Sequence, residues 1–396
     1  MDKIVYFDNN ATTKVAPEVV EAMIPFLSQY YGNPSSMHSF GGQVAYHVQE
    51  ARENVATLLG TTPEEIIFTS CGSESDNTAI FGSLAALEKT APERHQIVTS
   101  NVEHPAVRNT LAHFSRKGYQ VLELQVDEQG LLNLEQAKQV ISSKTALVSI
   151  MHANNETGVL FPVEEIAQIA KQHGAIMHVD AVQSVTKEPI DLKNSVIDLL
   201  ALSGHKIHAP KGVGALYIRK GTLVRPLILG GHQEHGQRAG TEAVPNIIAL
   251  GAAAKLAMSR KDTELEKIKA MRDDLENWIL TNIPHTHVNG HRTKRVVNTS
   301  NIGFDYIEGE SILLELNKIG ICASSGSACS SGSLEPSHVL RAMHVPFTSL
   351  HGSIRFSLSY NNTQDEIEYT KANLGQIVQR LREISPYSEK YFPMQS

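Results

Sequence analysis

Ala146-Leu-Val-Ser-Ile-Met-His152, Pro162-Val-Glu-Glu-Ile-Ala-Gln-Ile-Ala-Lys-Gln-His173 and Ala175-Ile-Met-His-Val179 follow one another along the chain. The first and last are apolar runs of strand length. The middle one repeats apolar residues at three and four, the spacing of one helix face. The same alternation runs on either side. Strands are predicted over Glu65–Thr69, Gln96–Thr99, Val121–Val126, Leu199–Leu202 and Val213–Ile218, and helices over Pro105–Arg116 and Leu134–Ile141. Strands and helices in alternation build an α/β fold, a mostly parallel central sheet covered by helices on both faces. Ligands of such sheets bind outside the carboxyl ends of the strands, so the chemistry is sought there.

Further along the pattern changes. The Ala-rich Ile247–Met258 is followed by the charged, helix-forming Lys261–Leu280, which reads as a transition to a second unit. Beyond it come strands near Val296–Phe304 and Ile354–Ser359, with helices near Ser311–Ile319, Ser337–Met343 and Gln364–Leu381. The expected organisation is a large domain over 21–260 and a smaller α+β domain over 261–396. The N-terminal segment 1–20 is expected to pack with the smaller one.

Composition narrows the class. The chain has 396 residues, 41% hydrophobic and 19% charged, with a net charge of −7. That mild acidity argues against nucleic acid or an anionic membrane as the main partner. No run of apolar residues is long enough to span a bilayer, and Met1-Asp2-Lys3-Ile4 lacks the basic start of a signal peptide. The three cysteines, Cys71, Cys322 and Cys329, give neither a disulfide framework nor a paired zinc motif, and the 18 histidines are scattered. A cytoplasmic protein with no metal of its own is expected.

Three strand ends carry candidate chemistry. Glu65–Ser70 runs into Cys71-Gly72-Ser73 and then a helical stretch. Glycine and hydroxyl residues at a strand-to-helix turn can hold a phosphate on backbone N–H groups, although an ordinary N-cap has the same signature. Asp180 ends an apolar strand, where a buried carboxylate needs a positive partner, whether a side chain or a pyridinium nitrogen. Lys206 follows Asp198–Ser203 and sits beside Gly204 and His205, where a lysine can lose solvation and become a nucleophilic amine. Each has a bland alternative. Together they describe a pyridoxal phosphate site: phosphate cup, acid for the ring nitrogen and Schiff-base lysine. Cys329 lies in Ala323-Ser-Ser-Gly-Ser-Ala-Cys-Ser-Ser-Gly-Ser333, too small and polar a stretch to build a core, so its thiol is expected to be exposed and nucleophilic. Cys71 and Cys322 read as packing residues.

Asp8-Asn9-Asn10-Ala11-Thr12-Thr13, Thr69–Asn77, Glu103-His104, Ala153–Gly158, His178–Ser184, Ser203–Gly212 and Ser324–Cys329 follow in an order and spacing that resembles the cysteine desulfurases of the NifS/IscS class. The resemblance runs from residue 4 to about residue 387. It implies the pyridoxal-phosphate-dependent transferase fold type I. The Ser-rich stretch around Cys329 resembles the group with a long, mobile cysteine loop rather than the short-loop SufS-like group. The motifs at Ala153 and Gly204 look closest to the nitrogen-fixation branch.

Residue by residue, the resemblance implies that Lys206 holds the cofactor, His104 stacks on its ring and moves protons, and Asp180 pairs with the ring nitrogen. Gln183 would bond the ring hydroxyl, and Gly72, Ser73, Ser203 and His205 the phosphate. Thr241 would reach the phosphate of a second subunit, making a homodimer. Asn155 and Arg355 would hold the substrate, and Cys329 would accept its sulfur. The implied reaction converts L-cysteine to L-alanine and leaves a persulfide on Cys329, passed to an iron–sulfur scaffold protein for cluster assembly. A selenocysteine lyase or cysteine sulfinate desulfinase of the same fold is the alternative. Ser73 stands where many relatives carry Thr, Ser330 where Thr is common, and His235 where Arg is frequent.

Overall fold

The computed structural model describes residues 4–325 and 336–386. The chain opens with a two-residue strand, Val5–Tyr6 (β1), and then builds a seven-stranded sheet from Ile66–Thr69 (β2), Gln96–Ser100 (β3), Gln120–Leu124 (β4), Thr145–Met151 (β5), Ile176–Asp180 (β6), Leu199–Ser203 (β7) and Gly214–Ile218 (β8). Its spatial order is β2-β8-β7-β6-β5-β3-β4. All neighbours pair parallel except at β8, which runs antiparallel to both β2 and β7. Every residue of β5 and β7 is buried, as their unbroken apolar runs require of strands covered on both faces. The parallel strands therefore place Thr69, Met151, Asp180 and Ser203 along one rim of the sheet.

Helix positions follow the amphipathic spacing. The helix Pro105–Arg116 has Pro at its first position, where a missing N–H costs nothing, and buries Val107, Thr110, Leu111 and Phe114 on one face. The helix Gly72–Thr90 packs between the sheet and this helix through Ile80 and Leu84.

The remaining strands are Thr286–Val288 (β9), Thr299–Phe304 (β10), Ile321–Cys322 (β11) and Ser353–Ser357 (β12). β12, β10 and β9 form an antiparallel sheet, and β1 pairs parallel with β11. Phe7, Ile302, Phe304, Ile354, Phe356 and Leu374 fill a second hydrophobic core, separate from the one around the large sheet. The Ala-rich and charged stretches after residue 243 are a single 39-residue helix, Val244–Asn282, without a break. The composition shifts because the helix changes cores: Val244, Ile247, Leu250 and Ala254 pack on the first, and Ile268, Met271, Leu275 and Ile279 on the second. Among the described residues no helix is long and apolar enough to cross a membrane.

Candidate active site

A cleft of about 960 Å³ opens at the rim of the large sheet. Its lining includes Gly72, Ser73, His104, Asn155, Asp180, Gln183, Ser203, His205, Lys206 and Arg355. All of these sequence-predicted residues are thus brought together. Thr241 is exposed and does not line the cleft. Cys329 lies outside the described residues. Asn10, Ala11, Asp76, Ala153 and Val182, which the sequence motifs include without a role, and Met151 also line the space. Cys71, read as packing, sits at the N-cap of the helix Gly72–Thr90 and lines the cleft as well. Cys322, also read as packing, is half-buried in β11, and burial followed by the Asp8 charge pushes its thiol upward.

The end of β7 turns tightly through Gly204–Lys206 and aims the lysine back at the N-terminal strap. Lys206 Nζ donates to the backbone carbonyls of Asn10 at 2.6 Å and Ala11 at 2.8 Å. His205, beside it, meets Thr12 Oγ1 through Nδ1 at 3.1 Å, and burial, then Lys206 and Lys211, push its ring down to about 4. The imidazole is therefore neutral at physiological pH.

His104 caps the helix Pro105–Arg116, its Nδ1 accepting the Ala106 N–H at 3.1 Å. A ring whose Nδ1 accepts carries its proton on Nε2 when neutral. Burial lowers its pKa, Asp180 opposes that and Lys206 adds to it.

Asp180 closes β6, and its Oδ1 accepts the Val182 N–H at 2.9 Å. Burial raises its pKa, against the pull of His104, the Val182 N–H and Lys206. Arg355, on β12, donates through Nη2 to Asp8 Oδ1 at 2.7 Å and through Nη1 to the Asn155 carbonyl at 2.8 Å. Its Nε is buried without a hydrogen-bond partner among the described residues. Asp8 thus shows that the Arg355 fork takes a carboxylate, and an unused donor remains.

Residues 5–370 match the aminotransferase class-V family model. The chain belongs to the class-V aminotransferase family. It is 59% identical over 386 residues to "Cysteine desulfurase 2" of Trichormus variabilis, covering 97% of this chain and 96% of that one. "Cysteine desulfurase NifS" of Azotobacter vinelandii is 54% identical over 384 residues, covering 97% and 94%. Among solved structures, one titled "NIFS-LIKE PROTEIN" superposes with a TM-score of 0.90 at 38% identity, covering 96% of this chain and all of that one.

Members of this class-V group use pyridoxal phosphate, and the cleft fits it. A Cβ at Gly72 would lie 2.7 Å from Val182 Cγ2, so only glycine leaves the helix N-terminus open to a phosphate. Ser203 Oγ is buried without a partner among the described residues, a hydroxyl available to a phosphate oxygen. The Asp180 carboxyl and the Lys206 amine line the same cleft, where they would suit a protonated ring nitrogen and an aldehyde.

Proposed function

We infer that this chain is a pyridoxal-phosphate-dependent cysteine desulfurase. It takes sulfur from L-cysteine, releases L-alanine and carries the sulfur as a persulfide on Cys329. The observation that carries this reading is the convergence of the Lys206 amine and the buried Asp180 carboxyl on a cleft with a glycine-opened helix N-terminus. When bound, pyridoxal phosphate supplies an electron sink for labilising bonds at the substrate's α-carbon.

The residues have distinct tasks. Lys206 would hold the cofactor through its amine and would serve as a base for the substrate's protons. Asp180 would pair with the ring nitrogen and keep it protonated, a charge that would offset the burial of the carboxylate. His104 would contact the ring, with its Nε2–H available for proton transfer. Gln183 would bond the ring hydroxyl, and Gly72, Ser73, Ser203 and His205 would hold the phosphate. Arg355 binds the substrate carboxylate with help from Asn155. The Cys329 thiolate would attack the substrate sulfur and form an S–S bond as the carbon–sulfur bond breaks; the electron pair of that bond stays with the carbon skeleton, which takes up a proton in place of the sulfur and leaves as alanine.

The finer assignments belong to the same reading. Residues 21–260 form the cofactor-binding domain and 261–396 the smaller one. The segment 1–20 is best divided: its residues 5–10 lean on the smaller core, as Val5, Phe7 and the Asn9 bond to the Ser357 carbonyl indicate. The working unit is a cytoplasmic homodimer in which Thr241 reaches the partner's phosphate. Exposed apolar side chains such as Tyr31, Met37 and Leu229 support such an interface. The sulfur acceptor is an iron–sulfur scaffold protein, and the nitrogen-fixation branch fits the relationship to NifS.

The test is mass spectrometry of the cysteine peptides after L-cysteine alone, beside alanine and sulfide release with a reductant. A persulfide on Cys329, equal amounts of alanine and sulfide, and a yellow but inactive Cys329→Ser protein are expected. A persulfide on Cys71 or Cys322 with Cys329→Ser fully active overturns the mechanism. The dimer is tested by mixing Lys206→Ala with Thr241→Ala subunits. Regained activity supports composite sites, and no rescue refutes them.

A further inference from the structure

A second pocket, open to solvent, shares Lys206 with the cleft, and its lining includes Lys187, His208, Arg260 and Tyr360. Lys187 is partly buried and has no task in the mechanism above. Its Nζ donates to Gln183 Oε1 at 3.2 Å. On its other side the same amide donates, Gln183 Nε2 reaching the Asn10 carbonyl at 2.9 Å. That carbonyl also accepts Lys206 Nζ at 2.6 Å. An unbroken chain of hydrogen bonds thus links Lys187, Gln183, Asn10 and Lys206.

We propose that Lys187 is a positioning residue for the cofactor, donating to Gln183 Oε1 so that the Gln183 amide keeps its NH2 group toward Asn10 and the cleft. The two partners demand this orientation. A flipped amide would turn its NH2 group toward the Lys187 ammonium and its oxygen toward the Asn10 carbonyl, donor against donor and acceptor against acceptor. The consequence is chemical. A ring hydroxyl that has lost its proton accepts an N–H and is repelled by an amide oxygen, so the amide's orientation sets how well that oxygen is stabilised. The inference rests on the cleft being a pyridoxal phosphate site with Gln183 toward the ring hydroxyl.

The surroundings of Lys187 are mostly cationic. Lys206, Arg355 and His208 lie nearby, and Arg260, Lys261 and Glu264 line the second pocket. Burial, then the charges of Lys206 and Arg355, push the Lys187 ammonium down to about 7. Donation to the amide survives loss of that proton, because a neutral amine still carries two N–H groups. Its lone pair can then also accept an N–H, so the lock is firmest while the lysine is charged, and the Asn10 carbonyl, which can only accept, keeps the preference when it is not.

Lys187→Met removes the donor and keeps an unbranched stem. The visible absorption of the bound cofactor is titrated against pH, and the cofactor's dissociation constant is measured on the apoprotein. With Gln183 held from the Asn10 side alone, the ring oxygen is less well stabilised and holds the Schiff-base proton more tightly. The midpoint should rise by about one pH unit and the dissociation constant by about tenfold, the scale of one hydrogen bond to a charged group. Loss of a nearby positive charge would also raise the midpoint, so the background decides. In Gln183→Ala, adding Lys187→Met should move the midpoint no further, since the two act through one contact. Lys187→Gln, shorter and uncharged but still polar, should give the same shift as Lys187→Met. An unmoved midpoint in both Lys187 variants, or an equal shift in the Gln183→Ala background, overturns the proposal. Absence of a cofactor band in the parent protein would instead overturn the reading of the cleft.

Discussion

In the smaller core Glu276 faces Arg295, whose guanidinium nitrogens lie 2.7 and 2.8 Å from its two carboxylate oxygens, and accepts Ser300 Oγ at 2.6 Å. Beneath the cleft Asp76, Glu103 and Asp180 are as deeply buried, but their neighbours are of another kind. Glu103 takes Ser100 Oγ at 2.5 Å and the Met151 N–H at 3.0 Å, Asp180 takes the Val182 N–H, and Asp76 Oδ1 lies 3.4 Å from His178 Nε2. Burial pushes His178 down to about 3, so it brings no charge. The two acidic groups respond in opposite directions. Burial alone would raise Glu276, yet the hydrogen bonds and charge of Arg295 outweigh it and hold the carboxyl below its usual range. Burial raises Glu103 to about 8, against its Ser100 and Met151 bonds. It also carries Asp76 well upward, reinforced by Asp180 and Glu103. A fully paired buried acid holds a fold together. Asp76 and Asp180, held by no arginine or lysine salt bridge among the described residues, line the cleft, where in the proposed function a pyridinium nitrogen would pair with Asp180.

Four substitutions break this contrast in order of size. Lys206→Ala should abolish L-cysteine turnover and the yellow colour while leaving the fold intact, because a residue in a strand-end turn contributes little packing; turnover at the parent rate refutes its role. Arg295→Met should strand the Glu276 charge and lower stability by about 3–5 kcal/mol in denaturant unfolding, yet leave the cofactor's absorption unchanged. Asp180→Asn should do the reverse, cutting turnover by ~10²–10³-fold with little loss of stability, since it removes an electrostatic partner of the reacting system. Comparable losses of stability in the two variants would erase the distinction.

The smallest effect is on pH dependence. A carboxyl raised by folding binds its proton more tightly in the native state, so the stability it contributes is complete below its unfolded value near 4.5 and is lost as pH climbs through about 8. Glu103→Gln should flatten the decline of apoprotein stability between pH 5 and 8 by at most about 1.4 kcal/mol per pH unit. Thermal unfolding at a series of pH values reads this directly, and a parallel decline in both proteins counts against it.

Much of this arrangement is written locally in the sequence. Helix Pro105–Arg116 was bounded by its spacing, and the strand-end residues Asp180, Ser203 and Lys206 by the apolar runs that deliver them to the rim. What escaped is long-range or carried by the backbone. The reversal of β8 leaves no mark on its composition, because Gly214–Ile218 is as apolar as the parallel strands of the sheet. The carbonyls of Asn10 and Ala11 that hold Lys206 are offered by every residue type, and only the fold brings them across 195 or more positions. Lys187 carries no local signal, since the residues of the helix Val244–Asn282 that line its surroundings come from far along the chain.

Lys187 also sets the sharpest test, for it is a second amine beside the same cleft whose proton is held down to about 7. Borohydride reduction of the yellow protein followed by peptide mass spectrometry fixes the pyridoxyl group on whichever lysine carries it. The account predicts the modification on Lys206 alone, and on no lysine after Lys206→Ala. Pyridoxyl on Lys187 or Lys211 in the parent protein would contradict it.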